Sequence, residues 1–177
     1  MKTIKIITDV DFGLTPQKFR NPRTRIASRG IILNKEGKIA ILNKQLKNEY
    51  KLIGGGKKNN ETPQETFIRE VLEETGCKIN VIEFLGTTEE HKSYDNFKQV
   101  SYVFVGEVVE IGDTNYTQKE KDEESRLLWL DYDEAMKLIQ NFEDNIKPSK
   151  YENIYHTKFI VKRDYEILKY YKEKFNN

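Results

Sequence analysis

Cysteine is nearly missing from this chain of 177 residues: Cys77 stands alone, so no intrachain disulfide can form. With only two histidines, His91 and His156, the sequence also lacks the Cys-rich donor set of a structural zinc site. Both absences suit a reducing compartment, and a cytoplasmic location is expected. No sign of charge dominates: 30 Lys and Arg against 29 Asp and Glu leave a net +1, too little for a global field that would draw in nucleic acid or an anionic membrane. No apolar run approaches the roughly 20 residues of a membrane span, so no membrane partner is expected. The opening MKTIKIITDV is interrupted by Asp9 and Asp11 before a signal-peptide core develops. No period of 20 to 50 residues repeats, which excludes solenoids. What the chain has in excess is charge of both signs, 33% against about 25% in ordinary domains. A single well-solvated domain over residues 1–177 is expected.

β-branched runs and turn residues divide the chain into short elements. Met1 to Phe12 reads as a strand, followed by loop to Arg23. Ile26 to Leu33 and Lys38 to Leu42 flank Asn34-Lys35-Glu36-Gly37, a hairpin signal. Tyr50 to Ile53 forms a strand that runs into Gly54-Gly55-Gly56. Further strands are expected at Lys78 to Phe84, Gln99 to Val109 and Arg126 to Leu130, and helices at Pro63 to Thr75, Asp133 to Gln140 and about Tyr151 to Phe175. This order predicts an α/β fold, a mixed sheet sandwiched by helices.

The first helix carries the chemistry. Thr62-Pro63-Gln64-Glu65 is a capping box with proline at the first helical position, and Gly76 suits the residue after the last turn. Helical spacing puts Phe67, Ile68, Val71, Leu72 and Thr75 on one side and Glu70, Glu73 and Glu74 on another. Three carboxylates at i, i+3 and i+4 repel one another, and two lie in the last turn, where the helix dipole is negative. A divalent cation would remove that penalty, and hard oxygen donors suit Mg²⁺ or Mn²⁺. Taken alone, such a cluster is most often a solvated helix face. Here Arg69 stands one turn from both Glu65 and Glu73 and can aim the carboxylates, while the upstream glycines let backbone approach a phosphate.

Gly55, then five residues, Glu61, then seven, Arg69-Glu70, the aliphatic Val71, one residue, Glu73-Glu74, one residue and Gly76 resembles a complete Nudix box, the signature of the Nudix hydrolases. Flanking segments from about Arg25 to Gln140 are also similar to that fold, a Nudix-like α/β/α sandwich, with the final helix outside it. The resemblance implies hydrolysis of a diphosphate linked to a further moiety, commonly a nucleotide, by water and divalent cations. It implies that Glu70, Glu73 and Glu74 hold Mg²⁺ or Mn²⁺ with the Gly55 carbonyl, and that Glu61 and Arg69 hold the loop and carboxylates in register. The general base is left between a box glutamate and a later loop, where Glu124 is preferred slightly over Glu123. Ile53, Asn60 and Cys77 depart from the family pattern, and Cys77 is expected as a small buried hydrophobe.

Gly54, Gly55, Gly56, Lys57, Lys44 and Arg29 are candidates for substrate phosphates, with Arg25 on the same strand face as Arg29. His91 is expected in a polar loop from Glu89 to Tyr94, and Trp129 in the core. The C-terminal helix is expected to dock on the domain or on a second copy of the chain. Nucleic acid is not expected as a partner, capped RNA ends excepted. A ligand-sensing domain without catalysis is the alternative function, disfavoured because no box carboxylate is missing.

Overall fold

The computed structural model describes residues 2–45, 49–112, 124–144 (backbone alone at 142–144) and 153–175. Seven strands form one mixed sheet: β1 (Thr3–Thr8), β2 (Arg23–Leu33), β3 (Ile39–Lys44), β4 (Glu49–Gly56), β5 (Cys77–Lys92), β6 (Phe97–Ile111) and β7 (Ser125–Leu130). Their spatial order is β1-β5-β6-β2-β4-β3-β7, parallel at β1–β5 and β2–β6 and antiparallel elsewhere. Among the described residues three α-helices pack on it: α1 (Pro63–Thr75), α2 (Tyr132–Asp144) and α3 (Ile154–Phe175). The expected sandwich forms because successive strand residues point to opposite faces. Ile32, Leu42 and Ile53 join Phe67 and Val71 of α1 in one core, whereas Ile31, Ile41 and Leu52 join Ile139 of α2 and Val161, Ile167 and Leu168 of α3 in the other. Cys77 is buried in the α1-side core. Among the described residues no helix is long and apolar enough to cross a membrane.

Three sequence expectations need correction. The Asn34–Gly37 turn forms, with the Asn34 side chain accepting from the Glu36 and Lys38 amides and Gly37 at φ +76°. Its two strands, however, pair only at Leu33 and Ile39. On that edge β2 is claimed instead by β4, at residues 27–30, while β6 covers the opposite edge along its whole length. The polar segment expected as loop, Glu89 to Lys92, is the end of β5: its inward residues Thr88, Glu90 and Lys92 are buried, so a strand with a charged inner face carried no apolar alternation to announce it. Finally, the apolar side of α1 is narrower than its spacing implies. Phe67, Val71 and Thr75 are buried, while Ile68 and Leu72 remain 37% and 45% exposed. The C-terminal helix docks on the chain itself, against β1, β4, β5 and α2.

Candidate active site

α1 is held rigidly at both ends. Thr62 Oγ1 accepts from the Glu65 amide at 3.2 Å, the Glu65 carboxylate accepts from the Thr62 amide at 2.7 Å, and Gly76 closes the helix at φ +70°. From this base Arg69 gathers the acidic side chains. Its Nε and Nη2 donate to Glu61 at 2.5 and 3.0 Å, and Nη1 donates to Glu70 at 2.7 Å and Glu73 at 2.8 Å. Nη2 also donates to the Gly56 carbonyl at 3.0 Å, tying the helix to the end of β4. The Arg69 bonds, then the Lys58 amide, hold the Glu61 carboxyl down at about 2.

The three box glutamates occupy different environments. Glu74 is buried, with Oε1 accepting from Lys51 Nζ and Oε2 from the Gly54 amide, both at 2.9 Å. Burial alone would lower the Lys51 ammonium, but Glu74 and Glu49 outweigh it and leave Lys51 above its ordinary value. Glu70 is raised, chiefly by burial and against its bond to Arg69. Its carboxylate lies so close to Gly55 that a Cβ there would stand 2.4 Å from Glu70 Oε2, so any side chain at that position would push the Glu70 carboxylate aside. Glu73 is half-exposed, shared by Arg69 and, at 3.3 Å, Lys58. The expected uncompensated repulsion is therefore absent, since Arg69 and Lys51 already face the three carboxylates. Among the described residues no three potential metal ligands converge into a ready cage.

A cavity of about 780 Å³ adjoins these groups, lined by Glu70 and Glu74 of α1, all three glycines of β4, and side chains of β2, β5, β6 and α3. Arg29, Arg25 and Lys44 line it as expected. Arg29 is buried and donates through Nε to Ser101 Oγ at 3.1 Å; among the described residues no carboxylate lies within ion-pair distance of it. Burial, then the nearby Arg163, lowers its guanidinium to about 10. Lys57 does not line the cavity, because its ammonium is turned onto the Lys58 and Asn59 carbonyls at 3.1 and 3.3 Å. Glu124 is exposed at the turn into β7, with φ +48°, and does not line the cavity either. Glu123 lies outside the described residues. His91 belongs to β5, bonded to Glu89 at 2.8 Å and stacked on Phe19, rather than to a covering loop. Trp129 packs partly buried against the α1-side core.

Sequence reasoning missed the far wall. Glu90, Lys92, Gln99 and Arg163 line the cavity as one buried network. Glu90 accepts from Arg163 Nη1 at 2.7 Å, Gln99 Nε2 at 3.0 Å and Lys92 Nζ. No spacing rule joins β5 and β6 to a helix some 70 residues later. Burial would raise Glu90, yet Arg163, Lys92 and Arg29 hold it at about 2. A folded value below the ordinary 4.5 makes the Glu90 contribution fully present above about pH 4.5 and lost as pH falls from there toward 2. Glu90→Gln should therefore flatten the acid limb of melting temperature against pH in that window. It should also cost about 3–5 kcal/mol at neutral pH, since it strands buried cations. Parallel acid limbs for mutant and wild type would show that Glu90 is not charged in the fold.

A glycine-rich strand end thus faces carboxylates on a capped helix, across one cavity from the buried Arg29 guanidinium. The family model of the NUDIX domain matches residues 23–151, and the chain belongs to that family. An RNA pyrophosphohydrolase of Hydrogenovibrio crunogenus is 37% identical over 65 residues, 37% of this chain and 39% of that protein. The chain thus matches well under half the length of that curated relative. Among solved structures, a MutT protein from Methanosarcina mazei aligns at TM-score 0.51 and 18% identity, covering 88% of this chain and 99% of that one. An ADP-ribose pyrophosphatase from Streptococcus suis aligns at TM-score 0.52 and 13% identity, covering 86% and 92%.

Proposed function

We propose that this Nudix hydrolase uses Mg²⁺ or Mn²⁺ to cleave a diphosphate linkage in a nucleotide or nucleoside diphosphate derivative. The observation that carries this is the joint lining of one cavity by Glu70, Glu74, Gly55 and the buried Arg29, which among the described residues has no carboxylate within ion-pair distance. Glu90 and Asp164 offset part of its charge from a distance, and a buried guanidinium without a contacting carboxylate is suited to an anionic ligand. The cavity volume falls within the range that accepts small-molecule ligands.

The donor set suits a hard divalent ion: carboxylate oxygens from Glu70, Glu73 and Glu74 and the backbone carbonyl of Gly55. Glu74 is fixed for that role by Lys51 and the Gly54 amide, and Glu73 by Arg69. When bound, such an ion supplies charge neutralisation of phosphate oxygens and a more acidic water. Arg29 and Lys44 hold the phosphates against the Gly54–Gly56 backbone, and Arg25 adds charge at the rim. Glu61 and Arg69 keep helix and strand end in register. The attacking water gives its proton to a cavity-lining carboxylate. Glu70 lines the cavity against Gly55 and Glu124 does not line it, which supports Glu70 over Glu124 as the base.

The names of the relatives point to RNA and to ADP-ribose, and the same chemistry would serve either. A panel of nucleoside triphosphates, ADP-ribose, dinucleoside polyphosphates, sugar nucleotides and 5′-triphosphorylated RNA, assayed for phosphate, pyrophosphate or nucleotide release with Mg²⁺, tests the reading. At least one class should turn over in Mg²⁺ and stop in excess chelator. Binding of a nucleotide with no release from any class would favour a ligand-sensing domain instead.

A further inference from the structure

Two amides of β4 are bonded to carboxylates from distant parts of the chain. Gly54 N–H donates to Glu74 of α1, and Leu52 N–H donates to Asp164 Oδ2 of α3, each at 2.9 Å. They lie where β4 changes partner, for residues 49–52 pair with β3 and residues 53–56 with β2. A strand that switches neighbours loses ladder support at the switch, and its buried amides need other acceptors. Leu52 stands between the two donors that fix Glu74: Lys51 precedes it and Gly54 follows by two residues. Whatever fixes Leu52 therefore fixes both.

We propose, on the reading of Glu74 as a cation-holding carboxylate, that Asp164 is a positioning residue of the active site, clamping the β4 switch so that Lys51 and Gly54 hold Glu74 in register. The clamp is itself held. Arg163 Nε donates to Asp164 Oδ1 at 2.8 Å while Arg163 Nη1 reaches Glu90, and Asp164, Arg163 and Glu90 are all buried. Asp164 and Glu90 outweigh burial and keep the Arg163 guanidinium above its ordinary value. A buried ion pair contributes little net stability against a well-packed apolar replacement. Its neighbours Val161, Ile167 and Leu168 form an apolar core that would accept one. What an apolar side chain cannot do is accept from the Leu52 amide. The helix that supplies the clamp begins beyond the segment matched by the family model, residues 23–151, so the site of this chain extends into α3.

The test compares Asp164→Ala, Asp164→Glu and Asp164→Asn with Ile167→Ala, a core truncation on the same helix that leaves the clamp in place. Three quantities are read: kcat and KM, the Mg²⁺ concentration half-saturating the rise in melting temperature, and amide exchange at Gly54 in the metal-free protein. Asp164→Ala should lower kcat about 10- to 100-fold with KM within about threefold, raise the Mg²⁺ midpoint about tenfold and speed Gly54 exchange at least tenfold. Asp164→Glu keeps the charge beside Arg163 but displaces the acceptor, and should move all three in the same direction. Asp164→Asn retains an acceptor oxygen and should recover most of kcat. Ile167→Ala should melt lower while kcat and Mg²⁺ midpoint stay within about twofold. If Asp164→Ala does not fold, Asp164→Glu decides. Gly54 exchange unchanged in metal-free Asp164→Glu overturns the positioning role, whatever Mg²⁺ does. A wild type without Mg²⁺ stabilisation would instead overturn the metal reading of Glu74.

Discussion

Glu74→Gln should abolish turnover and lower stability together, with and without metal. On the proposed role of Glu74 as a cation-holding carboxylate, its loss removes several kcal/mol of charge stabilisation at the phosphorus. At about 1.36 kcal/mol per decade this means roughly a thousandfold or greater fall in kcat. Sequence alone suggests that removing one of three repelling carboxylates stabilises the metal-free protein. The structure reverses the sign, because Glu74 is the buried partner of Lys51 and the acceptor for Gly54 N–H. Stranding that ammonium costs about 3 kcal/mol, toward the low end of the range for broken buried pairs because glutamine still accepts a hydrogen bond. Saturating Mg²⁺ widens the gap. At 100 times its Kd it stabilises the wild type by about 2.7 kcal/mol, a gain the mutant largely loses. Glu73→Gln is the contrast. Its carboxylate is half-exposed, so metal-free stability should change by less than about 1 kcal/mol while kcat still falls. Calorimetric melts with chelator and with Mg²⁺ check both, and a metal-free Glu74→Gln melting above the wild type would show that Lys51 does not depend on it.

The legible part of this protein is the part whose chemistry is local in sequence. α1 is marked at both ends, Thr62 and Gly76, by residues that cap within one turn, and the structure returns Pro63–Thr75 as expected. The Gly55 to Gly76 spacing is equally local, so Arg69 meets Glu61 and Glu73 across eight and four residues. Legibility fails where contacts are long-range. Lys51 and Glu74 are 23 residues apart, Arg163 and Glu90 are 73, and Leu52 and Asp164 are 112. It fails also where burial is polar, since the alternation of β5 up to Lys92 carries threonine, glutamate and lysine inward and resembles a solvated loop. Lys57 shows the converse case. Proximity in sequence to the glycines suggested a phosphate ligand, but its ammonium satisfies neighbouring carbonyls.

The base can be assigned by comparing Glu70→Gln, Glu124→Gln and Glu49→Gln. Glu70 lines the cavity against Gly55, half-buried and bonded to Arg69, whereas Glu124 is exposed outside it. Loss of a general base typically costs about 10²- to 10⁴-fold, so Glu70→Gln should lower kcat by that factor. Because Glu70 also adjoins Glu74 on one rigid helix, the Mg²⁺ dependence of melting and of rate should shift to higher concentration with it. Glu124→Gln should keep kcat within about threefold and leave Mg²⁺ stabilisation unchanged, as expected of a solvated side chain. Glu49, buried and lining the same cavity beside Lys51, controls for the mere loss of a cavity carboxylate: its replacement should weaken substrate binding or stability without the full loss in kcat. Single-turnover rates at saturating Mg²⁺ separate the chemical step from product release. A collapse of that rate in Glu124→Gln, with Glu70→Gln retaining it, would move the base to the turn before β7 and require that turn to reach the cavity in the substrate complex.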